Sequence, residues 1–234
     1  MHTANDRDIV HFIGQVGAAS AEHVMDRFGM GRSWAYARLR TLTSDGMLER
    51  RTLLHQTPGM FIATRYGLRW SGQQRFGVFK LGPGSFMHAW ELTSAIVGLH
   101  ARLPEWQVMP ERELRAYERE ERALLASARL GELVAGHRAL HRPDIALVGP
   151  GRRVCAVEVE LSIKAADRLR MICRGWGRAR HLAHVYYLTT PEVTRAVRRA
   201  VSATHVEELV TVVPLRDLDG AAAAVRAGAS RGES

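Results

Sequence analysis

Residues 156–168 read AVEVELSIKAADR, which sets Glu158 and Glu160 between Val157, Val159 and Leu161 and leaves Lys164 just beyond. Side chains alternate across a strand, so the two glutamates share a face with Ala156 and Ser162 and stand roughly 7 Å apart. Upstream, Asp144 lies between Pro143 and Ile145. A hairpin turning about Gly151 sets it opposite Glu158, with Cβ atoms about 5 Å apart. Like charges this close raise one another's pKa unless a cation neutralises them. Mg²⁺ or Mn²⁺ suits such hard oxygens and binds through one or two carboxylates plus substrate phosphate. An ion held there activates water and stabilises the leaving oxygen of a phosphodiester. Lys164, at the strand exit, is placed to orient that water or to offset charge on the phosphate. Only Lys80 and Lys164 are lysine among 33 basic residues, so the chain departs here from its habitual arginine. The structural alternative for the acids is a solvated sheet edge or ion pairs with Arg142, Arg152 and Arg168. For Lys164 it is a solvated lysine at a helix start.

These residues need a sheet to hold them. PDIALVG and RVCAVEVELS read as two strands separated by the turn signal PGR. Before them come a helix, FMHAWELTSAIVGLHARL, with His88, Leu92, Ala95, Ile96 and Leu99 along one stripe, a short strand, WQVMP, and a charged surface helix, ERELRAYEREERALLASARL. After them come a helix through Leu169, Ile172 and Trp176, the strand HVYYLTT, a helix opened by Pro191, and the strand LVTVVPL. This order predicts an α+β or α/β domain over 86–216, with a mixed sheet. A glycine-rich linker over 77–85 precedes it, and a flexible tail over 217–234 follows.

Residues 1–76 read as a separate unit. Asp6 is expected to cap a helix carrying Ile9, Val10, Ile13 and Val16 that ends near Gly17, and Ser20 a second with Val24 and Phe28 facing inward. After the turn GMGR, Ser33 is expected to cap a third helix whose core face is Ala35, Leu39 and Leu42. Arg32, Ser33, Tyr36 and Arg40 then face outward. A hairpin follows, with Met47, Leu48 and Leu53 on one arm and MFIAT on the other. Three helices and a two-stranded wing in this order predict a winged helix-turn-helix. Its third helix would enter the major groove of double-stranded DNA, and the wing would contribute Arg50, Arg51 and His55. A protein-interaction module is the alternative use of such a unit.

Composition agrees. A formal charge of +9 fits a polyanionic partner, although the arginine abundance resembles a GC-rich coding bias. The polar start and the absence of a long apolar run predict a cytoplasmic protein with no membrane partner. Cys155 and Cys173 match no metal spacing and read as small buried side chains. His88, His137 and His141 match no compact zinc site. GPGRR lacks the lysine and following helix of a phosphate loop, and a hairpin turn explains it better.

RPD, VEVELS and Lys164 resemble the core of the PD-(D/E)xK nuclease-like, restriction-endonuclease-like αβββαβ fold. The phrase HRPDIALV…AVEVELSIK after a winged helix is similar to the replication-relaxation family of mobile elements and plasmids. The resemblances together extend to about Leu215. They imply that Asp144 and Glu158 are the two motif acids and metal ligands, that Glu91 is an additional ligand, and that Mg²⁺ or Mn²⁺ is the cofactor. They also imply a role in replication, mobilisation or transcriptional regulation, with a possible homodimer and replication or transfer proteins as partners. The nuclease pattern has lysine two residues after the second acid, where this chain has Glu160, so Lys164 would be a migrated replacement. Two mechanisms stay open. One is a Mg²⁺-dependent endonuclease or nickase using Asp144 and Glu158, assisted by Lys164 or Glu160. The other, which Glu160 favours, is a catalytically silent domain serving dimerisation, DNA binding or partner docking.

Overall fold

The computed structural model describes residues 3–53, 55, 57–134 and 137–230. The chain divides into two compact units, residues 1–97 and 98–234. Helix α5 (Pro83–Arg102) runs across the division, so the unit boundary lies at 97/98 rather than in the expected linker over 77–85. The reason is packing within the first unit. Phe79 and Leu81 lie against a cluster of Ala18, Met60, Ile62, Phe86 and Ala89, so this segment is held by buried apolar surface.

The first unit runs α1 (Ala4–Val16), β1 (Ala19–Ser20), α2 (Ala21–Phe28), α3 (Arg32–Ser44), β2 (Leu48–Arg51), β3 (Met60–Ala63) and α4 (Arg65–Trp70), followed by the first part of α5. The strands form an antiparallel sheet in the order β1-β3-β2. Thr3, not Asp6, is the N-cap of α1. Asp6 stands at the third helical position and closes a reciprocal capping box with it. Asp6 is also fully buried and accepts both arms of the Arg38 guanidinium from α3, with Nε to Oδ1 at 2.7 Å. Burial works against its charge, but Arg38 and the Thr3 donors hold its carboxyl below the usual range. The short α4 has no periodic signature. It is capped by the Thr64 hydroxyl, and it packs so closely that a Cβ on Gly67 would stand 2.1 Å from the Met47 carbonyl oxygen.

Ser20 caps α2 as expected, and its partner is His23. Ser20 N donates to His23 Nδ1 at 3.1 Å, and His23 N donates to Ser20 Oγ at 3.2 Å. His23 Nε2 lies 2.9 Å from Ser94 Oγ, and the ring packs on Trp90. Because Nδ1 accepts, a neutral ring carries its proton on Nε2. Burial lowers the pKa of His23 to about 4, which the nearby Glu22 only partly offsets. Protonation would place a second donor against the Ser20 N–H. An unfolded histidine titrates near 6.5, so the unfolded chain binds this proton first as pH falls. The stability contribution is complete above about 6.5 and is lost on descending toward 4, amounting to roughly 3 kcal/mol. In His23→Asn, Oδ1 can still accept from Ser20 N. Urea unfolding of this variant should depend less on pH between 7 and 4.5 than that of the wild type, and parallel profiles would refute the assignment.

The second unit holds β4 (Gln107–Pro110), α6 (Glu111–Glu121), β5 (Ala128–Val134), β6 (His137–His141), β7 (Ile145–Val148), β8 (Val154–Glu160), α7 (Ala166–Arg178), β9 (His184–Thr189), α8 (Pro191–Ser202), β10 (Val210–Pro214) and α9 (Leu218–Ser230). Five strands form one mixed sheet in the order β10-β9-β8-β7-β4, in which β4, β7 and β8 pair antiparallel and β8, β9 and β10 pair parallel. The protein is therefore a mixed α+β structure. No helix among the described residues is long and apolar enough to cross a membrane.

Two expectations fail in this unit. The charged helix stops at Glu121, where Arg122 takes a left-handed conformation, and β5 pairs with β6 as a separate hairpin. The tail expected to be loose forms α9, which buries Ala221, Ala222 and Val225. Asp219 there accepts the Arg102 guanidinium at 2.7 and 3.2 Å, and the Tyr186 hydroxyl donates to Ala224 O at 3.1 Å. Composition rich in Ala and Gly hid an apolar helix face. Cys155 and Cys173 are free and buried, and burial pushes both thiols up to about 11, which removes them from thiolate chemistry at neutral pH.

Candidate functional site

The acidic cluster is built by β7, β8 and the loop after β8. Strand β8 has a parallel neighbour on one side and an antiparallel one on the other, and every residue of Val154–Glu160 is buried. The turn from β7 to β8 is a single 3-10 turn, Pro150–Arg152, with Gly151 at φ 65°. Pairing runs Ile145↔Val157 and Ala146↔Ala156, so Asp144 stands one step beyond the last pair, opposite Glu158. GPGRR is this hairpin turn.

The face carrying Glu158 is not a solvated edge. Ala156 on that face joins a core with Ala146, Val185 and Tyr187 of the sheet, and Leu169, Ile172, Cys173 and Trp176 of α7 cover it. Glu158 is 3% exposed and Glu160 is 4% exposed. Burial pushes the Glu158 carboxyl above the usual carboxylate range; His141 counteracts this in part and Asp144 adds to it. His141 Nε2 lies 2.9 Å from Glu158 Oε1, and its ring meets Trp176 edge-on. Trp176 Nε1 in turn donates to the Tyr187 hydroxyl at 3.1 Å.

Each acid therefore has a structural partner. Asp144 Oδ2 accepts the backbone N–H of Val159 at 2.8 Å. It thereby satisfies a ladder donor at the point where β7 has not yet begun to pair. Glu160 forms an ion pair with Lys164. Lys164 lies in the loop before α7, not on the helix. Burial opposes its charge, but the Glu160 hydrogen bond and the fields of Glu158, Glu160 and Asp144 raise its pKa. Of the arginines considered as partners, Arg142 lies instead 3.6 Å from Glu118.

A divalent ion needs several oxygens converging on one point. Among the described residues, no group of three or more His, Cys, Asp or Glu side chains is placed to hold one. Glu158 faces a histidine, Glu160 a lysine and Asp144 a backbone donor, so the donor set present does not fit a formed Mg²⁺ or Mn²⁺ site. Glu91, the further expected ligand, lies on the portion of α5 that belongs to the first unit and is half-buried there. His88 is half-buried in that same portion, and the His137 side chain lies outside the described residues. His141 is the member of the acidic cluster that sequence reasoning missed. Its signal was its place three residues before Asp144 in HRPD, but the facing of β6 cannot be read locally.

In the first unit α3 presents the expected split. Ala35, Leu39 and Leu42 are fully buried, whereas Arg32, Ser33, Trp34 and Arg40 are exposed. Gly31 is the N-cap and makes no side-chain cap bond, so Ser33 belongs to the first turn and its hydroxyl is not spent on capping. Tyr36 is half-buried with the Arg32 guanidinium 5.7 Å over its ring. On β2, Leu48 points inward while Glu49, Arg50 and Arg51 are exposed. Arg51 Nε lies 2.6 Å from Glu49 Oε1, and Arg50 passes over Gly59. His55 is exposed; Leu54 and Gln56 beside it lie outside the described residues.

Compared with protein-family models and with curated proteins, the chain matches none.

Proposed function

We propose that the protein binds double-stranded DNA through a winged helix-turn-helix in its first unit. The second unit is then a catalytically silent relative of the PD-(D/E)xK nuclease-like fold. The observation that carries the reading is α3, whose inner face is wholly buried while Arg32, Ser33 and Arg40 are exposed at the helix start and middle. An N-terminal recognition-helix turn free of side-chain capping, with arginines beside it, suits phosphate and base-edge contacts. The order α1-β1-α2-α3-β2-β3 and the pairing β1-β3-β2 support the winged-helix reading. For the second unit, support comes from the order β4, β7, β8, α7, β9, which follows α5 at the unit boundary, with α6, β5 and β6 inserted after the first strand. The resemblance of HRPDIALV…AVEVELSIK to the replication-relaxation family is the ground for the proposed role in replication, mobilisation or transcriptional regulation of a mobile element or plasmid. That role includes action as a homodimer or beside replication or transfer proteins.

Silence is supported by the partners of the acids. Glu160 holds the position where a nuclease of this type has lysine, and it neutralises Lys164. A lysine so engaged cannot offset charge on a scissile phosphate without giving up its partner. The test incubates supercoiled and linear DNA with Mg²⁺ or Mn²⁺ and either the wild type, Asp144→Ala or Glu158→Ala. Binding without cleavage is expected in the wild type. Cleavage that both substitutions abolish would restore the endonuclease reading, and failure to bind any duplex would reject both.

A further inference from the structure

Helix α8 is amphipathic in an unusual sense. Its inner face, Val193, Val197, Ala200 and Val201, is buried against the sheet core. Its outer face holds Arg195, Arg198 and Arg199, all exposed, around an open groove of about 450 Å³ that Pro191, Thr194 and Ser202 complete. Several arginines elsewhere are matched with acids, among them Arg38 with Asp6, Arg102 with Asp219, Arg115 with Glu111, and Arg170 with Asp167. Among the described residues the three on α8 have no such match. Among the described residues their one side-chain hydrogen bond runs from Arg199 Nε to the Arg195 carbonyl at 3.4 Å. The acid of this helix, Glu192, stands in its first turn, where it complements the helix dipole.

Like charges three and four residues apart on a helix repel and destabilise it by a few tenths of a kcal/mol per pair. Arg195 is paired this way with both Arg198 and Arg199, so the cluster costs the isolated fold something. A polyanion removes that cost. The three side chains span about 6 Å along the helix axis, and successive phosphates on one DNA strand are spaced about 3.4 Å along the duplex. Each guanidinium can donate two parallel bonds to a phosphate.

We infer that the outer face of α8 is a second phosphate-backbone contact surface, through which the second unit binds duplex DNA without reading its sequence. This rests on the DNA-binding reading above and gives the second unit a task that needs no chemistry.

The test measures affinity for a labelled duplex against salt concentration, for the wild type, an Arg195→Ala/Arg198→Ala/Arg199→Ala triple variant and the corresponding triple lysine variant. Alanine favours helix, and thermal melting checks that the fold persists. The alanine variant should lose affinity equally for any duplex sequence, and its log K against log salt slope should be shallower by about 2 to 3. The lysine variant should keep most of the slope because it keeps the charge. If the wild type binds DNA and the alanine variant matches it in affinity and slope, this surface is not a DNA contact, while the α3 reading stands. That outcome would leave the arginines to an acidic protein surface. If the wild type binds no duplex, both readings fall together. If the alanine variant melts early but the lysine variant binds with an unchanged slope, charge is the operative property; a lysine variant that folds and binds with the shallow slope would overturn the proposal.

Discussion

Replacing Arg32 and Arg40 together by alanine is expected to weaken binding to duplex DNA by about 100-fold or more, since an arginine reading a base edge contributes roughly 1–3 kcal/mol. Both side chains are exposed and α3 holds its place through Ala35, Leu39 and Leu42, so the melting temperature should move little. The character of the loss separates this helix from α8. Loss of base contacts flattens the preference for a target sequence over random duplex, whereas loss of phosphate contacts lowers affinity uniformly and reduces the salt slope. Arg32 also stacks over Tyr36, so Tyr36→Phe should be nearly silent if the ring only supports the guanidinium, and costly if its hydroxyl touches DNA. The measurement is fluorescence anisotropy on a selected site and on scrambled duplex. An Arg32→Ala/Arg40→Ala variant that keeps both affinity and preference would remove α3 from the interface and favour a protein-interaction module.

How much of this was legible in the chain divides along a physical line. Properties set by local spacing could be read. Alternation put Glu158 and Glu160 on one face, the turn about Gly151 put Asp144 across from Glu158, and helical spacing named the buried face of α3. What could not be read was which surface a neighbouring element covers. The Glu158 face is roofed by α7, and only that roof turns a chain of potential metal ligands into a buried set of paired charges. The Asp6 position shows the same limit. A capping residue was visible at the start of α1, but its role at the third position and its Arg38 partner, 32 residues away, depend on how α1 and α3 pack. Glycine in 77–85 and alanine and glycine in 217–230 suggest a linker and a loose tail, but composition does not show what a segment packs against. Residues 77–85 and 217–230 carry enough apolar side chains, Phe79, Leu81, Ala222 and Val225 among them, to dock.

Glu118 carries this limit to its largest energetic consequence. In a run of alternating charges it looks like a solvated helix residue, yet it is 6% exposed. Its Oε1 accepts the backbone N–H groups of Leu125, Ala126 and Ser127 at 3.0, 3.2 and 3.0 Å, and its Oε2 accepts the Ser127 hydroxyl at 2.6 Å. Arg142 lies 3.6 Å from that same oxygen. One carboxylate thus satisfies three successive backbone donors and a hydroxyl in the segment between α6 and β5, which helps the chain reverse from the helix end at Glu121 into a strand. In Glu118→Ala these donors are left without their acceptor and Arg142 loses its counter-charge. Orphaning buried donors costs about 1–3 kcal/mol each, and water entering the vacated space will recover part of it, so a net loss of about 3–5 kcal/mol is expected. Glu121→Ala, three residues on and exposed, should change stability by no more than about 0.5 kcal/mol. Glu118→Gln should fall between them, because its carbonyl still accepts from the backbone while the charge opposite Arg142 is gone. Urea unfolding gives the energies, and amide hydrogen exchange at residues 125–127 locates them. Exchange there should accelerate in the alanine variant beyond what global destabilisation accounts for. Equal stability of Glu118→Ala and Glu121→Ala would mean that the turn is held by β5 and β6 alone.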